Sequence, residues 1–114
     1  MFERIAVINR AEPAVRLMRA VRQLNEERGL AIKVIALHTP AEEHALFVRA
    51  ADEAVCLQSN GSTSPYLDHT ELERALIACR ADAVWVGWGF VAEDPEFAEL
   101  IERLGITFIG PPAS

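Results

Sequence analysis

Apolar residues in this chain occur in short continuous runs. Between these runs lie segments in which apolar residues recur at the spacing of a helix. Runs of this length, rich in branched residues, are typical of strands that a sheet buries on both faces. We therefore predict five strands, at Ile5–Ile8, Ala31–Leu37, Glu53–Leu57, Ala83–Val86 and Thr107–Ile109.

The first helix is predicted to open at Pro13, because proline is tolerated at the first helical position. Its apolar residues recur at helical spacing, which indicates one buried stripe. Gly29 is a suitable end for this helix. The inward positions are Ala14, Leu17, Met18, Val21 and Leu24.

Three further helical segments lie between the remaining strands. A short one covers Glu43–Ala51, and a capping box at Thr70–Glu73 opens the next. Asp94-Pro95 caps the last, which ends at Gly105. The expected inward positions of the last two helices are Leu72, Ala75, Leu76 and Cys79, and then Phe97, Leu100, Ile101 and Leu104.

Strands and helices alternate along the whole chain. Such alternation favours a parallel sheet with helices on both faces. We predict an α/β, Rossmann-like three-layer fold with a parallel sheet of about five strands, forming one domain over residues 1–114. The chain stops directly after the last strand, so we expect this domain to be part of a longer protein.

Composition narrows the function without naming it. The net charge of −6 provides no basic stripe for phosphates, so nucleic acid is not an expected partner. No apolar run reaches the roughly 20 residues that span a bilayer, and the start does not resemble a signal peptide. Cys56 and Cys79 are expected to be free core thiols in a reducing compartment. These features favour a cytoplasmic protein with no membrane partner.

The segment Gly87–Ala92 matches G-x-G-x-x-A, a pattern that can cradle a dinucleotide. It follows the fourth strand, however, whereas the fingerprint belongs after the first. The first turn has no glycine and places Glu12 near the helix start, where an anion would otherwise bind. Dinucleotide binding is therefore disfavoured. A ligand site facing this loop is still expected, because ligands in open α/β sheets lie outside the carboxyl ends of the strands.

Other candidate groups have a plain structural interpretation. His38, His44 and His69 lack a recognised metal-ligand spacing, so we expect solvated loop residues and no metal. Arg16 and Arg19 recur three apart on the first helix. They form either a solvated face or an interface that pairs with carboxylates. No catalytic residue is assigned.

Four segments, in order, resemble the N-terminal domain of biotin carboxylase, the pre-ATP-grasp unit of acetyl-CoA and other acyl-CoA carboxylases. They are "RIAVINRAEPAVRLMRAVRQL", "AADEAVCL", "ADAVWVGWGFVAEDPEFAEL" and "GITFIGPP", and the resemblance extends over almost the whole chain, from Arg4 to Pro112. Ala11 stands where bacterial members usually have glycine, and Trp85-Val86 replaces their His-Pro.

The resemblance implies that ATP-grasp and C-terminal domains, absent from these residues, complete the enzyme. That enzyme would use Mg-ATP and bicarbonate to carboxylate biotin on a carrier domain. A carboxyltransferase would then act, in acetyl-CoA carboxylation for fatty acid biosynthesis. This domain alone would bind no cofactor and be inactive. The alternatives are another ATP-grasp ligase, of carbamoyl-phosphate or purine-synthesis type, and a stand-alone binding module.

The resemblance also implies roles for individual residues. Trp88 holds the position of the family's aromatic residue that faces biotin, and Gly87, Gly89 and Phe90 shape the same loop. Arg16 and Arg19 match positions of dimer contacts, so a homodimer or interdomain contact is expected there.

Overall fold

A computed structural model describes residues 3–8, 11–58, 68–86 and 95–109. The strands are β1 (Arg4–Val7), β2 (Lys33–His38), β3 (Glu53–Cys56), β4 (Ala83–Trp85) and β5 (Thr107–Ile109). The helices are α1 (Ala11–Arg28), α2 (Leu46–Ala50), α3 (His69–Ala78) and α4 (Pro95–Arg103), with a 3-10 turn at Pro40–Glu42. All five predicted strands are present, with ends that shift by at most two residues.

The five strands form one parallel sheet in the order β3-β2-β1-β4-β5. Ala6 of β1 is opposite Ile35 on one side and Val84 on the other. The strand order reverses between β1 and β4. After β1 the chain adds β2 and β3 on one side, and after β4 it adds β5 on the other side. The predicted α/β fold with a parallel five-stranded sheet is confirmed.

Both faces of the sheet are buried, as the continuous apolar runs predict. Val7 and Ala36 pack on the face that α1 and α2 cover, with Met18 and Phe47. The alternate positions pack on the face that α3 and α4 cover. The buried members of that second cluster include Ala6, Ile35, Val84, Leu72, Leu76, Phe97 and Ile101. Each helix therefore contributes to burying one side of an apolar sheet.

The buried stripe of α1 differs from the predicted one in its last turn. The helix begins at Ala11, two residues before Pro13, and Leu24 is 37% exposed rather than inward. Asn25 occupies the next position on the same helix face, four residues after Val21. Its side chain accepts a hydrogen bond from the Ile32 N–H at 3.1 Å and donates one to the Ile32 C=O at 3.0 Å. A polar residue thus fixes the turn into β2, and Leu24 lies outside the core.

The predicted capping box at Thr70–Glu73 is wrong. Asp68 caps α3, because its Oδ1 accepts a hydrogen bond from the Glu71 N–H at 3.1 Å. Thr70 is exposed within the first turn of the helix. The same Ser/Thr/Asp-x-x-Glu pattern occurs two residues earlier, and an aspartate is as good a cap as a threonine.

The predicted helix Glu43–Ala51 is shorter in the structure, where α2 covers only Leu46–Ala50. The 3-10 turn Pro40–Glu42 comes first, and α2 begins only at Leu46. The turn is closed by Glu42, whose Oε1 accepts hydrogen bonds from the N–H and Oγ1 of Thr39 at 3.0 and 2.9 Å. This capping box begins the 3-10 turn, and helical geometry resumes only at Leu46.

Two aspartates tie the amino ends of the strands together. The carboxylate of Asp82, just before β4, accepts hydrogen bonds from the N–H groups of Glu3 and Arg4 at 2.8 and 3.0 Å. Asp52, just before β3, accepts one from Val34 N–H at 2.8 Å. Each aspartate therefore fixes the register of a neighbouring strand through a charge-assisted bond.

Helices α1, α3 and α4 end in the same way. In each case the backbone N–H of the second residue after the helix C-cap donates to a carbonyl oxygen of the last helical turn. These bonds run from Leu30 to Asn25, from Ala81 to Leu76 and from Ile106 to Ile101, at 3.0, 3.2 and 3.1 Å. This ending needs a left-handed residue, which favours glycine. Gly29 and Gly105 provide it at φ 65° and 71°, but α3 has Arg80 at φ 55°.

We expect Arg80→Gly to raise the free energy of unfolding by about 0.5–1 kcal/mol. A residue other than glycine pays about 1–2 kcal/mol for the left-handed conformation, and Arg80→Gly removes this cost. The greater conformational entropy of glycine in the unfolded chain offsets about half of the stability gained. Equilibrium unfolding in urea measures the change. The matched control is Gly29→Ala, which adds the same strain to α1, where a Cβ would meet nothing within 4 Å. A loss of stability in Arg80→Gly would contradict the argument.

Candidate functional site

The carboxyl edge of the sheet between β1 and β4 is the expected place for a ligand. The strand order reverses here, and open α/β sheets bind ligands in the crevice at such a switch point. The Ile8 N–H donates to the Trp85 carbonyl at 2.9 Å, which holds the two strand ends together. Trp85 is half-buried on the α1/α2 face, and Val86 is buried on the α3/α4 face.

The predicted biotin-facing residues follow this point directly in the chain. Gly87, Trp88, Gly89 and Phe90 lie outside the described residues, so their role stays a prediction. The described structure fixes where the chain leaves β4, at Val86 beside β1.

Arg16 and Arg19 lie on a groove of about 540 Å³ between α1 and the segment that contains the 3-10 turn and α2. The Nε of Arg16 is 3.8 Å from Glu12 Oε1, and both side chains are largely exposed. Leu46 is 62% exposed on the same groove. The lining residues are Glu12, Val15, Arg16, Arg19, Glu42, Ala45, Leu46 and Phe47. An apolar floor with arginine and glutamate at its rim has the composition of a contact surface.

The histidines do not share one environment. His38 was expected in a solvated loop but is the last residue of β2 and only 5% exposed. Its Nδ1 lies 2.8 Å from the Thr39 carbonyl, and its own carbonyl accepts the Leu57 N–H at 2.7 Å. The strand simply continues one residue further than predicted, which carries the ring into the fold. His44 is exposed, as expected.

His69 was also expected in a solvated loop, but it is the first residue of α3 and is half-buried. Its Nδ1 lies 3.5 Å from Oε2 of Glu96, in the first turn of α4. In the ranges that the structure describes, no three His, Cys, Asp or Glu residues are grouped so that they could hold a metal ion.

Glu71, a buried carboxylate at the start of α3, was not among the predicted site residues. It accepts hydrogen bonds from the Gln58 N–H and from Arg74, whose Nε and Nη2 lie 2.8 and 2.6 Å from its oxygens. Arg74 Nη2 also donates to the Cys56 carbonyl at 3.2 Å. The pair therefore fixes the end of β3 against α3. A Glu–Arg spacing of three within a helix is the one signal that could have suggested it.

The Arg74 guanidinium holds the pKa of Glu71 below its usual range, since its hydrogen bonds favour the ionised form. Burial opposes this shift, and the Gln58 N–H supports it. The pKa of Arg74 is raised for the same reason. An ionised, fully bonded pair of this kind stabilises structure and has no proton to offer to a reaction.

The cysteines are free, as predicted, but only Cys79 is fully buried. Burial raises the pKa of its thiol, which makes it a poor nucleophile at neutral pH. Cys56 is half-buried at the end of β3. The described parts of the chain contain no helix that is long and apolar enough to cross a membrane.

Comparisons with known proteins agree with this architecture. A family model described as the N-terminal domain of biotin carboxylase matches residues 1–114. The chain is 38% identical over 113 residues to biotin carboxylase 1 of Bacillus subtilis, covering 99% of this chain and 24% of that protein. It is 40% identical over 112 residues to the alpha subunit of the mitochondrial methylcrotonoyl-CoA carboxylase of rice, Oryza sativa, covering 98% of this chain and 14% of the subunit.

A solved structure gives the same result. The biotin carboxylase domain dimer of Hydrogenobacter thermophilus 2-oxoglutarate carboxylase, in complex with MgADP and bicarbonate, superimposes with a TM-score of 0.81 at 36% identity, covering 97% of this chain and 23% of that one. The chain thus spans about a quarter or less of the proteins that it matches. With a full-length family match and the expected sheet, the chain belongs to the biotin carboxylase N-terminal domain family.

Proposed function

We propose that these residues are the amino-terminal domain of an ATP-dependent biotin carboxylase that carboxylates biotin with bicarbonate. The observation that carries the proposal is the family match over residues 1–114. The names of the relatives support it, since they are biotin carboxylases or a subunit of a CoA carboxylase. ATP-grasp and C-terminal domains would supply the remaining parts of the active site.

The described residues do not fit Mg-ATP. They contain no acidic cluster that could hold a metal, and Glu12 lies in the first turn of α1, where it disfavours a phosphate. Phosphoryl transfer depends on cations that neutralise the phosphate oxygens. We therefore assign ATP, magnesium and bicarbonate to the other domains, and we propose that this domain is inactive alone.

The loop after β4 is our candidate for one wall of the biotin site. It begins at the switch point of the sheet, beside the end of β1. Trp88 would present its ring to biotin, and Gly87, Gly89 and Phe90 would shape the turn that carries it. Aromatic rings provide large, rigid contact areas for such a bicyclic ligand.

Trp88→Ala in the full-length enzyme is expected to raise KM for free biotin about tenfold, which corresponds to losing about 1.4 kcal/mol of ring contact. KM for ATP should change little. Bicarbonate-dependent ATP hydrolysis with free biotin measures both constants, and Trp88→Phe is the control that keeps an aromatic ring. An equal loss for both substrates would mean that the ring only packs. Wild-type protein without biotin-stimulated hydrolysis would refute the function itself.

The acceptor of the carboxyl group is a separate question. We propose acetyl-CoA, and hence a role in fatty acid biosynthesis, with a biotin carboxyl carrier domain and a carboxyltransferase as partners. The relatives are named for different acceptors, including methylcrotonoyl-CoA and 2-oxoglutarate. An acceptor panel with the complete enzyme, read as transfer of labelled bicarbonate carbon, tests acetyl-CoA against these.

The groove on α1 supports a homodimer or interdomain contact through Arg16 and Arg19. Its exposed Leu46 and its glutamates offer apolar and charged complementarity to another surface. The oligomeric state of the full-length protein, measured by sedimentation, tests the dimer.

The free thiols of Cys56 and Cys79 support a reducing compartment, and we propose the cytoplasm.

A further inference from the structure

The α1/α2 face of the sheet is covered unevenly. At its centre, Val7 and Ala36 are fully buried beneath the helices. Towards β5 the cover is incomplete, because Trp85 and Ile109 are only half-buried on this face and Thr107 is exposed. The opposite face has α4 at this end of the sheet. Parallel sheets are normally covered by helices on both faces, so among the described residues one side of β4 and β5 lacks a layer.

The flank of α1 that overlooks this open area is apolar. Val15 and Arg19 face the segment with α2, because both line the groove there. At about 100° per residue, Leu17 and Leu24 lie together on the other flank. Since α2 packs against β2, on one side of β1, this other flank faces the β4 side of the sheet. Leu17 is half-buried and Leu24 is 37% exposed, although both were predicted to be inward.

These positions together form what we call the β5 surface, which consists of Leu17, Leu24, Trp85, Thr107 and Ile109. None of its members is charged, in contrast to the groove on the other flank of α1. A helix is the element that such a surface accommodates, because helices pack beside one another on the faces of parallel sheets. The periodicity of α1 thus encodes a wider apolar face than the described helices and strands bury.

The nearest source of such a helix is the polypeptide itself. The family model describes an N-terminal domain, so in the proposed enzyme a longer polypeptide follows Ser114. The last strand, β5, is itself part of the β5 surface. A segment tethered so close to a surface has a high effective concentration there, which favours it over a separate partner.

We infer that a helix from the polypeptide beyond Ser114 packs on the β5 surface and completes the helical layer on this face. Its apolar side chains contact Leu17, Leu24 and Ile109. This inference rests on the proposed function, because it requires the longer polypeptide. The helix α1 has 18 residues and spans the same sheet, so a matching helix with a short connection needs about 25 residues.

A photo-crosslinker on the β5 surface identifies its occupant in the full-length protein. Leu24→p-benzoylphenylalanine places the probe on α1, and Thr107→p-benzoylphenylalanine places it on β5 in case the first variant fails to fold. After irradiation and proteolysis, mass spectrometry is expected to find the dominant crosslinks to peptides within about 25 residues beyond Ser114. The matched control is Ala98→p-benzoylphenylalanine, at an exposed position of α4 on the other face of the sheet. It should give no crosslink to that segment.

The inference is wrong if the crosslinks join two copies of the protein, reach only peptides further along the chain, or form at neither position. It is also wrong if the probe at Ala98 captures the same segment. Biotin-stimulated ATP hydrolysis by the wild-type full-length protein separates this failure from that of the proposed function. An active enzyme with crosslinks elsewhere refutes the inference alone, whereas an inactive protein with the expected crosslinks refutes the function alone.

Discussion

Phe97→Ala is expected to lower the free energy of unfolding by about 3–5 kcal/mol, the usual cost of removing a buried phenyl ring. Phe97 is fully buried on α4 and belongs to the cluster that α3 and α4 form with the sheet. Its ring meets Phe108 of β5 edge to face, with centroids 6.3 Å apart. The mutation would remove this contact and leave a cavity between α4 and the sheet.

Equilibrium unfolding in urea measures the loss, which should appear as a lower midpoint at an unchanged slope. The matched control is Phe108→Ala, which deletes the other ring of the pair. Phe108 is 38% exposed on an edge strand, so its loss should cost less, about 1–2 kcal/mol. Equal losses in the free energy of unfolding for the two variants would show that the burial of Phe97 does not determine its contribution to stability.

The periodicity of the sequence was sufficient to predict the layered fold and most of its core. The inward faces of α3 and α4 were correct because apolar residues recur at helical spacing there, and Leu72, Leu76, Leu100 and Ile101 are all buried. The pattern failed in the last turn of α1, where Asn25 displaces Leu24. A polar side chain that bonds a loop backbone carries no hydrophobic signal, so periodicity cannot identify it.

Bonds between distant parts of the chain were also missed. Asp82 binds the N–H groups of Glu3 and Arg4, which lie 79 and 78 residues away along the sequence. Glu71 binds Gln58 across the segment between β3 and α3. Such side-chain-to-backbone contacts depend on how parallel strands align, and no local propensity encodes that alignment.

The candidate site was predicted in a different way. Its position, after the fourth strand, followed from the rule that ligands bind outside the carboxyl ends of parallel strands. The role of Trp88 came from the family resemblance alone. The His69–Glu96 pair could not be predicted, because its partners start different helices and meet only through the packing of α3 and α4.

Glu71→Ala is expected to lower the free energy of unfolding by about 1–3 kcal/mol at pH 7. The Gln58 N–H and the Arg74 guanidinium would each lose a charged acceptor, and water would replace only part of this loss because Arg74 is about half exposed. Glu71→Gln keeps an acceptor of the same shape but removes the charge, so it should cost less than alanine. Glu73→Gln, at an exposed ion pair of the same helix, should change stability by at most about 0.5 kcal/mol.

The contribution of Glu71 should also depend on pH. Because Arg74 lowers the pKa of this carboxyl in the folded state, its stabilisation is complete above the unfolded value of about 4.3. It is lost as the pH falls through the lower, folded pKa, where the carboxylate takes up a proton. Urea unfolding at pH 7 and near pH 3 should therefore show the gap between wild type and Glu71→Gln narrowing in acid. A gap of constant size would mean that Glu71 stabilises the fold by its shape rather than by its charge.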